Sequence, residues 1–184
     1  MLKMAKKPQF YLGWTMRELF HNNFFHHVKR QQLLKIKEIV KEKKIERLFF
    51  ESHWIYKKKI QQMRDFFDIP ITFKIGVETF DYDFRNNYLN KNARFETVEE
   101  LKEYFDSPCI MVGIKGQTKE MIDKDMEIVL NHFDHATINV FINNSSSVKR
   151  DEELVKWFVD KYKFLIDNPK IEVLINNTDF GVGD

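Results

Sequence analysis

Five short runs of strand-forming residues alternate with segments of helical period, and this alternation restricts the fold more than any other feature. The runs are Glu46–His53, Ile71–Thr79, Pro108–Lys115, Thr137–Asn143 and Lys170–Asn176. Strands and helices at this spacing imply parallel pairing through right-handed crossovers. Between them, Leu33, Ile36 and Val40 share one helical face, as do Ile60, Met63 and Phe67. Ile122, Met126, Val129 and Phe133 make another stripe, and Leu154, Phe158 and Leu165 a further one. Thr97 followed by Glu100 is a capping-box pair opening a short helix over Val98–Phe105. Ile69-Pro70, Ser107-Pro108 and Asn168-Pro169 stop a helix just before three of the strands. There is no hairpin signal, internal repeat or linker, so residues 1–184 read as a single α/β domain. The first 30 residues, aromatic and rich in histidine over Phe10–Arg30, resist assignment. Residues 80–96 form the longest irregular stretch and are a candidate lid or substrate loop.

Parallel strands buried on both faces should be aliphatic almost throughout. Here the departures follow a parity. Ile71, Phe73, Ile75 and Val77 alternate with Thr72, Lys74, Gly76 and Glu78. Ile110, Val112 and Ile114 alternate with Cys109, Met111, Gly113 and Lys115, and Ile138, Val140 and Ile142 with Asn139, Phe141 and Asn143. One face suits helices; the other is small or polar, with its charges late in the strands. A doubly wound sheet covers both faces and tolerates this poorly, whereas a barrel or partial barrel gives the second face a lumen. The expected fold class is therefore α/β, a parallel partial (β/α) barrel with five strands alternating with helices. An edge strand or a solvent-facing sheet surface is the alternative origin of the pattern.

Composition narrows the function classes. The chain has 184 residues, 43% hydrophobic and 15% aromatic, which is globular rather than disordered. A net charge of +2 gives no reason to expect DNA or a membrane surface as partner. No apolar run approaches the roughly 20 residues of a membrane span, and Met1–Pro8 lacks a signal peptide's apolar core. Cytoplasmic localisation is the default. The one cysteine, Cys109, can form neither an internal disulfide nor a cysteine metal site alone. His21, His26 and His27 have no carboxylate at metal-ligand spacing, so no metal is expected there.

Ligands in α/β folds of both kinds bind at the carboxyl ends of strands. The candidates there are Glu51, Ser52, His53, Glu78, Lys115, Gln117, Asn139, Asn143 and Asn176. Glu51 ends an apolar run, and a buried carboxylate needs a cation or several donors. Lys115-Gly116-Gln117-Thr118 joins strand to helix with Thr118 as N-cap, and backbone donors there could hold a carboxylate or an adenosine group. No Ser-His-Asp arrangement, P-loop or GxGxxG is present.

The same residues resemble the radical S-adenosylmethionine (SAM) superfamily. Val112–Glu120 (VGIKGQTKE) is similar to its strand-five GxIxGxxE-like adenine segment, with Val112, Ile114 and Gly116 in register and the glutamate one place late. Glu51 matches the end of a GGE-type second strand, and Ile75–Asp81 is similar to the family's GIETFD strand ends, whose polar group faces the cofactor. The resemblance runs from about Leu33 to the carboxyl end, with small queuine-lyase-type proteins as the closer likeness. It implies SAM as cofactor, held by Glu51, Glu78, Lys115, Gly116, Gln117 and Asn139. It implies Glu51 at the methionine amine, Glu78 and Lys115 at the ribose or substrate, and Gln117 near adenine. A small polar substrate, of the modified-nucleobase kind, would meet His53, Asn143, Asn176 and Asp179. It also implies a [4Fe–4S] cluster, but the CxxxCxxC triad that would ligate it is not in this sequence. The five strands would be strands two through six of a six-stranded partial barrel. The first is apparently missing, and amino-terminal truncation is the simplest explanation.

Three functional readings follow. The chain is the SAM- and substrate-binding part of a radical SAM lyase or oxidoreductase completed by a cysteine segment. Alternatively it is a cluster-free module binding a small polar ligand. Or it is an inactive scaffold that self-associates through an unpaired strand edge.

Overall fold

The structure, a computed structural model, describes residues 9–15 and 27–175, with side chains from residue 30 onward. The chain forms two compact units, residues 1–74 and 75–184, and the boundary falls within one strand.

The first unit holds β1 (Gln9–Thr15), α1 (His27–Glu42), β2 (Arg47–Glu51), a 3-10 turn (Trp54–Lys59), α2 (Ile60–Phe66) and the first half of β3 (Ile71–Glu78). β2 runs parallel to β3, with Leu48 beside Ile71 and Glu51 beside Lys74. The α1 stripe of Leu33, Ile36 and Val40 is buried, as are Ile60, Met63 and Phe67. Each such side chain contributes about 1.5–3 kcal/mol by leaving water. Phe50 anchors this core, stacked on Phe73 at 5.8 Å between centroids and tilted against Phe67 at 5.7 Å. Arg64 closes the α2–β3 junction by donating to the Ile71 carbonyl at 2.9 Å.

The expectation of a missing first strand is corrected here. Gln9–Thr15 forms β1 and pairs parallel with β2, so the β2 edge expected to be bare is covered. The register shifts between Tyr11 and Thr15, a span that includes Gly13. A glycine within a strand often marks such a bulge. Aromatic residues at both parities then leave no clean alternation, which is why the strand escapes a periodicity reading.

The second unit holds the rest of β3, a single π-helical turn (Phe84–Tyr88), α3 (Val98–Lys102), β4 (Ser107–Val112), α4 (Lys119–His132), β5 (Ala136–Val140), α5 (Glu152–Tyr162), a 3-10 turn (Lys163–Asp167) and β6 (Ile171–Leu174). β4 runs parallel to β5 and β5 to β6, with Ile110, Ile138 and Val173 in one row. The sheet order is β1-β2-β3-β4-β5-β6. A doubly wound sheet reverses its order at a switch point, and this one does not. The fold is the α/β partial barrel expected, with six strands rather than five.

The parity holds in part: Thr72, Cys109 and Phe141 are buried against it and Ile142 is exposed, but most other strand positions follow it. Ile71, Phe73, Ile75 and Val77 are buried, while Lys74, Gly76 and Glu78 are only partly covered. Ile110, Val112, Ile138 and Val140 are buried, whereas Met111 and Asn139 are half-covered. Thr97 and Thr118 cap α3 and α4 as expected, accepting from Glu100 N and Met121 N. Asp151 caps α5 by accepting from Leu154 N at 3.0 Å. Among the described residues no helix is long and apolar enough to cross a membrane.

Candidate functional site

In the second unit the carboxyl end of β4 is built around a glycine whose conformation and close packing disfavour any side chain. Gly113 has φ of 85°, and a Cβ there would lie 2.2 Å from Val155 Cγ2. Its carbonyl accepts from Asp151 N at 2.9 Å, which ties the strand end to the start of α5. The next residues turn back through Gln117, whose buried amide is spent on the backbone. Its Oε1 accepts from Ile114 N at 2.9 Å and its Nε2 donates to the Met111 carbonyl at 2.9 Å. Gln117 therefore shapes the turn that presents Lys115 and Gly116, both exposed. Gly116 has φ of 99°, and a Cβ on it would come within 3.4 Å of the Phe84 ring and 3.6 Å of Tyr88. Those rings stack at 4.6 Å, and Tyr88 donates to the Lys115 carbonyl at 2.9 Å. The segment resembling a strand-five motif thus follows the fourth strand.

The half-covered face of the sheet carries two rows. Met111, Asn139 and Leu174 stand side by side nearer the carboxyl ends. Cys109, Thr137 and Glu172 form the row before it, where Cys109 and Thr137 are buried and Thr137 donates to the Glu172 carboxylate at 3.1 Å. Asn143 is exposed and its Oδ1 accepts from Arg150 N at 2.8 Å, while Arg150 Nη1 donates to the Phe141 carbonyl at 2.8 Å. Asn143 thereby shapes the loop before α5.

At the end of β3, Glu78 occupies the left-handed region with φ of 65°, a sparsely populated conformation for a residue with a Cβ. Its carboxylate pairs with the Lys91 ammonium, and neither group is fully exposed. A Cβ on Gly76 would stand 2.8 Å from Lys91 Nζ and 2.9 Å from Glu78 Oε1, so the missing side chain at 76 makes room for the pair.

Lys91 is held there by hydrogen bonds within residues 80–96, the stretch expected to be a lid or substrate loop. Arg85 is buried and donates to three carbonyls, those of Ala93, Thr79 and Phe95, at 2.8, 3.0 and 2.7 Å. Its guanidinium lies 3.8 Å from the Phe95 ring centroid, and burial pulls its pKa down to about 10. Lys91 N donates back to the Arg85 carbonyl, and Asn86 Oδ1 accepts from Ala93 N. Asn90 and Asn92, on either side of Lys91, both have positive φ, 51° and 53°. Asparagine tolerates that region better than most residues. Beneath the loop, Asp125 of α4 is buried and accepts from Phe80 N at 2.7 Å, while its Oδ2 has no hydrogen-bond partner. Burial pushes this carboxyl up to about 7.

In the first unit Glu51 is exposed at the end of β2, so it is not the buried carboxylate the apolar run suggests. Ser52 is buried, its N–H donating to the Lys74 carbonyl at 2.9 Å. His53 caps the 3-10 turn, its Nδ1 accepting from Ile55 N at 3.3 Å. Asn176 and Asp179 lie outside the described residues. Sequence reasoning missed Arg85, Lys91 and Asp125. The Asn-Lys-Asn triplet was the one available signal, since asparagine on both sides of a residue marks possible left-handed turns.

The single cysteine, Cys109 on β4, cannot supply the three thiolates of a [4Fe–4S] cluster. Among the described residues no group of three His, Cys, Asp or Glu could hold a metal ion. The residues present do not fit a cluster.

No family model matches the chain, and no curated protein does. A solved structure does match: queuine lyase from Clostridium spiroforme bound to SAM and queuine, 54% identical, covering 87% of this chain and 70% of that one, with a TM-score of 0.81. At that identity over most of both chains, the chain belongs to the queuine lyase family of radical SAM proteins.

Proposed function

We propose that this chain is the SAM- and base-binding part of a queuine lyase, holding SAM and a queuine-type base, a 7-deazaguanine, at the carboxyl ends of its strands. The observation that carries the proposal is the 54% identity to a queuine lyase described with both molecules bound. The turn after β4 supports a cofactor site. Gly116 leaves a gap beside the rings of Phe84 and Tyr88 that any side chain would fill. Lys115, Gly116 and Asn139 are the proposed cofactor contacts in that unit, with Gln117 holding the turn and Asn143 a proposed substrate contact. For Glu51 and His53 of the first unit, and for Asn176 and Asp179, the family resemblance alone supports a role.

The role proposed for this chain's residues is to bind and orient SAM and the base. A second reading is favoured by the single cysteine: binding of both molecules without cluster chemistry. Titration calorimetry of the full chain with SAM and with queuine tests the binding. Saturable uptake of both supports the proposal, and heat from neither refutes it. Iron and sulfide content after anaerobic reconstitution separates the two readings, with zero cluster per chain favouring the second.

A further inference from the structure

We infer that the Glu78–Lys91 pair reads the guanine-type edge of the base, and so sets which nucleobase this site accepts. The inference rests on the reading that the site takes a 7-deazaguanine. Such an edge presents a carbonyl acceptor beside two N–H donors, from the ring nitrogen and the exocyclic amine. A carboxylate accepts at both oxygens, and an ammonium donates up to three hydrogen bonds and so can serve more than one acceptor. Glu78 beside Lys91 is therefore the matching array, acceptors facing the donors and a donor facing the carbonyl. An adenine-type edge inverts the pattern, placing an amine against the ammonium and a bare ring nitrogen against the carboxylate.

The pair is built to hold position. Glu78 stands on the half-covered strand face, in a left-handed conformation with φ of 65°, and Lys91 is delivered between two residues of positive φ. Arg85, bonded to three carbonyls, fixes the loop that carries Lys91. Gly76 leaves the space the two charged ends occupy. The side chains are 13% and 29% exposed for Glu78 and Lys91, sheltered enough for hydrogen bonds to discriminate and open enough to reach a ligand. A surface ion pair has no need of this much fixed backbone. Glu78 is thus assigned to the base rather than to the cofactor.

The test uses the full chain, 7-deazaguanine and 7-deazaadenine as probes, and SAM as a control, all by calorimetry. The wild type is expected to prefer 7-deazaguanine at least about tenfold. Glu78→Gln is expected to lose about ten- to a hundredfold of that affinity, the range for a hydrogen bond to a charged group, with SAM affinity unchanged. The double variant Glu78→Lys with Lys91→Glu keeps an ion pair for folding but reverses the array. It is expected to retain the wild-type melting temperature and still fail to bind 7-deazaguanine. Equal affinity of wild type and Glu78→Gln for 7-deazaguanine overturns the inference alone, as does a loss confined to SAM or recovery of base binding by the charge swap. A wild type that binds queuine and SAM but ranks the two bases equally also overturns it alone. A wild type that binds neither queuine nor either probe overturns it together with the proposed function.

Discussion

Replacing Arg85 with Met removes a charge while keeping most of the stem, and tests whether the loop after β3 is held by one side chain. Three carbonyls, of Thr79, Ala93 and Phe95, lose their donor at once. A hydrogen bond to a charged group contributes about 1.5–3 kcal/mol. Against this stands the cost of burying the guanidinium, visible in a pKa pulled down to about 10 by burial. The difference leaves a net loss of about 3–5 kcal/mol for Arg85→Met, since water can reach some of the abandoned carbonyls. In a chain of this length that lowers the melting temperature by about 6–20 °C. Arg85→Lys should fall between, because one ammonium cannot reproduce the planar fork that serves carbonyls on two sides. Urea unfolding measures the loss, and amide exchange at Lys91 and Ala93 shows where it falls. A stability change below about 1 kcal/mol with wild-type protection at those amides would refute the staple.

Gly113→Ala should destabilise by about 3 kcal/mol or more, because its Cβ meets Val155 at 2.2 Å and its φ is 85°. Adding Val155→Ala should recover the steric part and leave the backbone part; unfolding midpoints that show no recovery would remove Val155 as the cause. Asp125 gives a pH prediction: its folded pKa, raised to about 7, exceeds the usual 3.8 of an unfolded chain. Its contribution is then fully present below about pH 4, declines as pH rises to 7 and is flat above, a swing of about 4 kcal/mol. Asp125→Asn keeps the acceptor for Phe80 N and should flatten the stability profile from pH 4 to 7; an unchanged slope by urea unfolding at stepped pH would assign it to another group.

What could be read in advance was whatever a local pattern encodes. The parity of Lys74, Gly76 and Glu78 against Phe73, Ile75 and Val77 survives as burial, because side-chain direction in a strand is fixed by a period of two. Thr97 and Thr118 announce helix starts because a cap acts within three residues. β1 failed the same reading because both parities are aromatic and a bulge breaks the register at its centre. Glu51 failed differently: an apolar run predicts burial of the strand, not of the residue where the strand ends.

The residues that were not legible share a physical cause, which also explains why they matter. Lys91 is a surface-type residue by composition; its position depends on Arg85, six residues earlier, choosing three carbonyls over solvent. It depends as well on Gly76 lacking the atom that would stand 2.8 Å from its ammonium. Neither condition has a periodicity, and neither residue signals the other. An arginine among aspartates and asparagines reads as a solvated loop residue, and a glycine in a strand reads as a weakness. Together they make a charged pair whose geometry is set by backbone rather than by rotamer choice. The entropy of ordering Lys91 and Glu78 is therefore met during folding, and a ligand arriving at the pair need not supply it. That is the condition under which a hydrogen-bond array discriminates between ligands instead of adapting to them. Loosening Arg85 should consequently erode base selectivity before it abolishes binding.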